Sequence, residues 1–192
     1  MIWIILIPLI IIVFYLVNTY NFFVSSKARI KASIQEIGNQ LKRQSDLIPN
    51  LVDSAKGYLK HEKGIFDKLT EARKSITKAV ESGDIQKMSD AGSKLASILP
   101  DLKVVVESNP EIKGVDVVTN LMSELRDTSD KVMYSRRLLI DLTADYNVKR
   151  ASFPSNLIAS MFRFEEMQGL KTPEGEINVT ESEMGTPKVD LG

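Results

Sequence analysis

Apolar side chains recur along most of this chain in alternating steps of four and three. From Ile30 the series reads Ile30, Ile34, Ile37, Leu41, then Gln44, then Ile48, Leu51, Ala55 and Tyr58. Such an alternation averages about 3.5 residues, the period of a helix whose seam packs against other helices. The register continues through Glu62 to Ile65, Leu69, Ala72, Ile76 and Ala79, which predicts one helix running on to Glu81. At the α-helical rise that helix is on the order of 75 Å long. A second series, Ile85, Met88, Gly92, Leu95, Leu99, Leu102 and Val106, keeps the same step. So does a third, Val118, Leu121, Leu125, Thr128, Val132, Ser135, Leu139, Leu142 and Tyr146.

The punctuation between the series agrees with them. Gly83 followed by Asp84 reads as a helix-ending glycine and then an N-cap. Asn109-Pro110-Glu111 reads as a cap, a first-turn proline and an acid near the positive helix end. Connections this short make neighbouring helices antiparallel. Phe153-Pro154-Ser155 signals a further, shorter helix over 155–168, with Leu157, Ile158, Met161, Phe162 and Phe164 on its apolar face. The predicted fold is all-α: an elongated antiparallel bundle of three long helices and a short fourth. Pro49 and Pro100 fall inside the first two helices. Each removes a backbone hydrogen bond and clashes with the carbonyl four residues back, at a cost of about 3 kcal/mol in an unadapted helix. The unbroken register across Pro49 predicts a bend that does not end the helix, with the half before it leaning away from the bundle. Asn50 and Ser45 are placed to bond the freed carbonyl. Pro49-Asn50 then reads either as a hinge or docking notch or as a packing bend.

Ahead of the seams lies a different pattern. Residues 2–24 are apolar except for Asn18, Thr19 and Asn21, and residues 1–24 carry no charged side chain. As a helix this run spans about 35 Å, enough for a bilayer. Trp3, Tyr15, Tyr20, Phe22 and Phe23 fall near its two ends, where aromatic rings favour the interface. A cleaved signal peptide would have a basic start, a shorter apolar stretch and a small-residue cleavage site, and the run has none of the three in convincing form. Lys27, Arg29, Lys31, Lys42 and Arg43 follow the span closely and no basic side chain precedes it, so the positive-inside rule places the N-terminus outside and the rest in the cytoplasm. The chain divides into an anchor, residues 1–25, a bundle, residues 26–170, and residues 171–192, a flexible acidic tail with five acids and two lysines. Residues 25–170 hold 23 bases and 20 acids, so the tail could fold back on basic membrane-proximal residues.

Composition narrows the chemistry. The 192 residues contain 25 Lys and Arg, 25 Asp and Glu, no Cys and a single His. A disulfide framework, a thiolate metal site, a Cys nucleophile and a multi-His metal centre are excluded, and there is no global basic field to hold nucleic acid. His61-Glu62 is the one place where an acid adjoins an imidazole. A zinc protease would need a second His four residues along, and Ile65 stands there instead. Neighbours i and i+1 diverge around a helix, so the pair reads as structural. Glu62 occupies a seam position and is expected to be ion-paired or at the bundle edge. Arg43, Asp46 and Asp53 around Pro49 read as a solvated face.

The segment Asp46-Leu47-Ile48-Pro49-Asn50-Leu51-Val52, continuing through Lys56-Gly57-Tyr58 to His61-Glu62-Lys63, resembles the signature of the LemA family of membrane-anchored bacterial proteins. Tyr20-Asn21, Pro100-Asp101-Leu102-Lys103, Asp145-Tyr146-Asn147, Phe153-Pro154-Ser155-Asn156-Leu157-Ile158-Ala159 and Pro187-Lys188-Val189-Asp190 extend the resemblance over essentially the whole chain. The sequence departs from the family pattern at Gln44, where Arg is expected, at Leu99, where Tyr is usual, and at Leu139-Ile140, where a second Tyr-Asn pair often stands. The resemblance implies one N-terminal membrane helix, an N-terminus outside and a cytoplasmic antiparallel bundle, with no established activity and loose links to membrane and envelope organisation.

The expectation is a non-enzymatic, single-pass protein of the cell membrane whose cytoplasmic rod is a scaffold or adaptor. No catalytic, cofactor-binding or metal-binding residue is assigned. Its expected partners are membrane lipid, through the N-terminal helix, and other proteins, with no nucleic acid and no small-molecule substrate. The alternatives are a lipid-remodelling protein that senses anionic membrane with Lys27, Arg29, Lys31 and the short helix, and a membrane-bound hydrolase.

Overall fold

The computed structural model describes residues 2–57, 63–109 and 116–171. Among these residues the structure is all-α and contains five helices: α1 Ile2–Ala55, α2 Lys63–Ser82, α3 Ile85–Ser108, α4 Asp116–Ala151 and α5 Ser155–Met161. The predicted seams are the core. Ile30, Ile37, Leu41, Ile48 and Leu51 of α1, Leu69 and Ile76 of α2, Leu95 and Leu102 of α3, and Val118, Leu125, Leu139 and Tyr146 of α4 are all buried.

The expected single helix to Glu81 is instead two. α1 ends at Ala55, and α2 runs back along it, bringing Thr77 beside Ser45. Seam periodicity did not reveal the reversal, because a helix and the helix returning beside it both turn an apolar stripe to the same core. Gly57 and Gly64, on either side of the reversal, are the helix-breaking signal that the register outweighed. The bundle therefore has four long members. Lys68 with Asp101 and Lys94 with Glu71 tie α2 antiparallel to α3. Arg43 with Glu124 and Phe23 with Tyr146 tie α1 antiparallel to α4. At the α2–α3 turn Gly83 has φ +66°, a left-handed conformation that favours glycine, and Asp84 caps α3 by accepting from the N–H groups of Gln86 at 2.9 Å and Lys87 at 3.1 Å.

α2 and α3 meet at the level of Gly38 of α1, whose nearest neighbour across the core is Met88. Below that level α1 does not lean away from the bundle, as expected from Pro49, but stays against α4. The buried side chains along this pair include the small Ser26, Ser33, Ser135 and Thr143, which let the two backbones approach. The third member here is not a helix. α5 ends at Met161, short of the predicted residue 168, and residues 164–171 run as an extended strap up the side of α4. Asn147 holds the strap with two bonds, its Nδ2 donating to the Met167 carbonyl at 2.8 Å and its Oδ1 accepting from the Met167 N–H at 3.0 Å. Higher up, the Lys171 N–H donates to Gln86 Oε1 at 2.9 Å. At the foot of the strap Phe164 stacks on the buried Phe23, ring centres 4.8 Å apart. Every side chain over residues 2–14 of α1 is exposed.

Candidate functional site

Pro49 lies within α1, which continues through it for a further turn and a half. The carbonyl it cannot bond is that of Ser45, and Arg73 of α2 donates its Nε–H to that oxygen at 3.1 Å. Ser45 Oγ lies 3.1 Å from Thr77 Oγ1, which also donates to the Arg73 carbonyl at 3.1 Å. Neither predicted helper bonds that oxygen among the described residues: the Ser45 hydroxyl pairs with Thr77, and the carbonyl is served by Arg73 of α2 instead of by Asn50. Through these bonds α2 packs against the Pro49 turn of α1. Arg43 pairs with Glu124, while Asp46 and Asp53 are exposed, so the three charges do not converge. Gln44 is fully buried, and neither amide atom has a partner among the described residues. His61 and Glu62 lie outside the described residues.

Pro100 has the opposite setting. α3 packs tightly at Gly92, where a Cβ would stand 3.0 Å from Val132 of α4 and 3.4 Å from Leu41 of α1. Beyond that contact a groove of about 610 Å³ opens between α3 and α4. Leu99, Pro100 and Val106 form one wall, Met122, Ser129 and Met133 the other, and Lys103, Glu107, Arg126 and Asp130 line its edges. Pro100 supplies no N–H to the Ala96 carbonyl, and Ala96 also lines the groove. An apolar trough with charges of both signs along its edges suits a side-chain stripe from another helix or an extended peptide. Sequence reading placed Leu99 and Val106 on the α3 seam and Pro100 inside that helix, but missed Met122 and Met133. Their signal is an extra methionine beside the α4 seam, and methionine surfaces adapt to varied partners.

Two carboxylates among the described residues are held ionised by their neighbours. The Lys94 ammonium, hydrogen-bonded to Glu71, holds its carboxyl below the usual range, and the Lys87 and Gln86 backbone N–H groups do the same for Asp84. Both stay ionised at neutral pH, the wrong direction for a general acid. Burial pushes the Tyr146 phenol up, and its hydroxyl has no protein partner. Among the described residues no group of three or more His, Asp or Glu side chains could hold a metal ion.

Two comparisons place the molecule among known proteins. The chain is 23% identical to the magnetosome protein MamQ of Magnetospirillum gryphiswaldense over 176 residues, an alignment that covers 80% of this chain and 65% of that protein. The chain thus spans under two thirds of that relative's length. The model of the LemA family matches residues 33–184, which run from within α1 through α2, α3, α4 and α5 and past the strap. With that match over most of its length, on an all-α bundle led by one helix long and apolar enough to cross a membrane, the chain belongs to the LemA family.

Proposed function

We propose that this is a non-enzymatic, single-pass membrane protein. Residues 1–25 anchor it, residues 26–170 form a cytoplasmic bundle, and residues 171–192 are an acidic tail. The bundle acts as a scaffold or adaptor for other proteins in membrane and envelope organisation. The observation that carries this reading is the groove between α3 and α4. It is apolar, opens at the end of the bundle away from the apolar run of α1, and leaves Met133 exposed. A docking surface on a membrane-anchored rod is best placed at the far end, where a partner meets no lipid. The likeness to a magnetosome protein agrees with a role in organising membranes. The basic residues Lys27, Arg29 and Lys31, all exposed just past the apolar run, support the cytoplasmic orientation.

A photoreactive side chain placed at Met133 or Met122 in the full chain, in native membranes, should give a discrete protein adduct. The same group at the exposed Lys78 of α2 should not. Identical patterns from all three positions, or none from the groove, would remove the groove as a docking site. Orientation is tested separately by a reporter active only outside the cytoplasm, fused after Gly192, which should stay silent.

A further inference from the structure

We propose that α5 and the turn leaving it form an interfacial foot, in which Phe153, Leu157, Met161 and Phe162 enter the lipid leaflet beside α1. This gives the bundle a second membrane contact. It rests on the anchor reading above, since it requires a bilayer around residues 2–24.

The first observation is the face itself. Phe153 is 79% exposed, Leu157 62%, Met161 61% and Phe162 47%, four large apolar side chains within ten residues of sequence. A cluster of this kind on one short element marks a contact with something apolar. The element is not loosely held. Ile158 and Ala159 are buried beneath it, and Ser155 Oγ lies 2.6 Å from the Lys149 carbonyl and 2.9 Å from that of Ser152. The packed side fixes the apolar side outward.

The second observation is level. Phe162 packs edge-on against Tyr20, ring centres 4.8 Å apart, and Phe164 stacks on Phe23. Tyr20 and Phe23 belong to the charge-free run that ends at Val24. A bilayer that takes up this run reaches the height of α5, so the four side chains meet lipid at its interface. Water at that height would leave Tyr20 and Val24, both exposed, uncovered as well.

The third is charge. Lys149 Nζ sits 5.8 Å from the centre of the Phe22 ring, and Arg163 is exposed directly after Phe162. Long basic side chains at this height reach headgroup phosphates while their stems cover apolar surface. Glu165 and Glu166 follow, the latter 3.8 Å from Arg150, so the acids sit with the strap and the bundle. A single span leaves a rod free to tilt and spin about its anchor. A foot beside the span sets the rod's stance and holds the groove of α3 and α4 away from the surface.

Trp3 is the single tryptophan and already reports on the span. The full chain is reconstituted in phosphatidylcholine–phosphatidylglycerol vesicles whose acyl chains are brominated near the headgroup end. Leu157→Trp and, separately, Phe153→Trp are made in a Trp3→Phe background, with Val104→Trp, an exposed site on α3, as reference. Unchanged circular dichroism melts show that the variants fold, which exposed positions allow. The expected result is loss of emission from Trp3 in the unaltered chain and from both foot positions, with none at position 104. Quenching of Trp3 with full emission from both foot positions overturns the foot and leaves the anchor standing. Full emission everywhere overturns both. Equal quenching at positions 104 and 157 also overturns the foot, because lipid would then not select it.

Discussion

Two prolines interrupt two neighbouring helices of this bundle, and the molecule treats them differently. At Pro49 the carbonyl left without a partner is taken by the Arg73 guanidinium of α2. At Pro100 the corresponding turn lines an open groove of about 610 Å³. The same local defect is a rivet in one place and part of a recess in the other. What differs is the neighbour: α2 crosses behind Pro49 at the distance of one side chain, while α4 parts from α3 beyond Gly92. A helix-breaking residue thus acquires its role from what packs against it, which neither its identity nor its register discloses.

The contrast is sharpest in the side chains around each proline. Leu69 of α2 is fully buried near the closed site, so Leu69→Asp should cost about 4 kcal/mol through an unpaired buried charge. Met133→Asp on the groove wall should stay within about 0.5 kcal/mol, because that side chain already meets solvent. Urea unfolding of the full chain in detergent measures both. Similar losses would mean that the groove is core and that the two regions do not differ.

Replacing the prolines themselves comes next in size. Pro100→Ala returns a backbone donor to α3 and should stabilise by about 2 kcal/mol, since Pro costs about 3 kcal/mol in a helix interior and nothing observed around the groove offsets it. Pro49→Ala should gain clearly less, because Arg73 already serves the carbonyl and the restored amide would compete with that bond. Equal gains in thermal melts would show that the Arg73 bond offsets nothing.

Gln44 tests the closed region from inside. Its amide is fully buried among seam residues with no partner for either atom among the described residues, at the position where the family resemblance leads one to expect Arg. Gln44→Leu should therefore stabilise by about 1 kcal/mol, by removing two buried polar groups without loss of volume. A lowered melting temperature would instead mean that the amide finds partners in the native ensemble.

These sites also mark how far sequence alone could reach. Burial along α3 and α4 followed the heptad series closely, because a seam residue is committed by its spacing whatever it packs against. The Gly83-Asp84 turn was equally readable, since positive φ and an N-cap are local demands. The reversal between Ala55 and Lys63 was not, because phase is preserved when a chain folds back along the same core. The strap also escaped: Phe164 continues the apolar pattern of α5, but it is held against Phe23 by Arg150, which donates to its carbonyl, and by Asn147, whose bonds to Met167 span 20 residues. Arg73 stands in none of the apolar series, and only the packing of α2 along α1 gives it the Ser45 carbonyl. The groove was half visible, through Pro100 and the α3 seam, while Met122 and Met133 belonged to no series.

The finest test of the comparison couples Arg73 to Pro49. Arg73→Met keeps much of the aliphatic stem and removes the Nε–H bond to the Ser45 carbonyl, which is partly buried, so it should cost about 1 kcal/mol in the unaltered chain. In a Pro49→Ala background the alanine amide at position 49 bonds that carbonyl within the helix, and the same substitution should cost little. The cycle therefore predicts a coupling of about 0.5–1 kcal/mol between residues 24 apart in sequence and on different helices, with a sign that makes the arginine worth more when the proline is present. Arg136, which donates to Ser93 Oγ at 2.7 Å on the α3–α4 side, supplies the control. Arg136→Met should cost the same with or without Pro100→Ala, because Arg136 bonds Ser93 and not the carbonyl that Pro100 leaves. If Arg73→Met costs the same in both backgrounds, the guanidinium stabilises α2 by packing alone, and the two prolines differ only in how much side chain happens to lie over them.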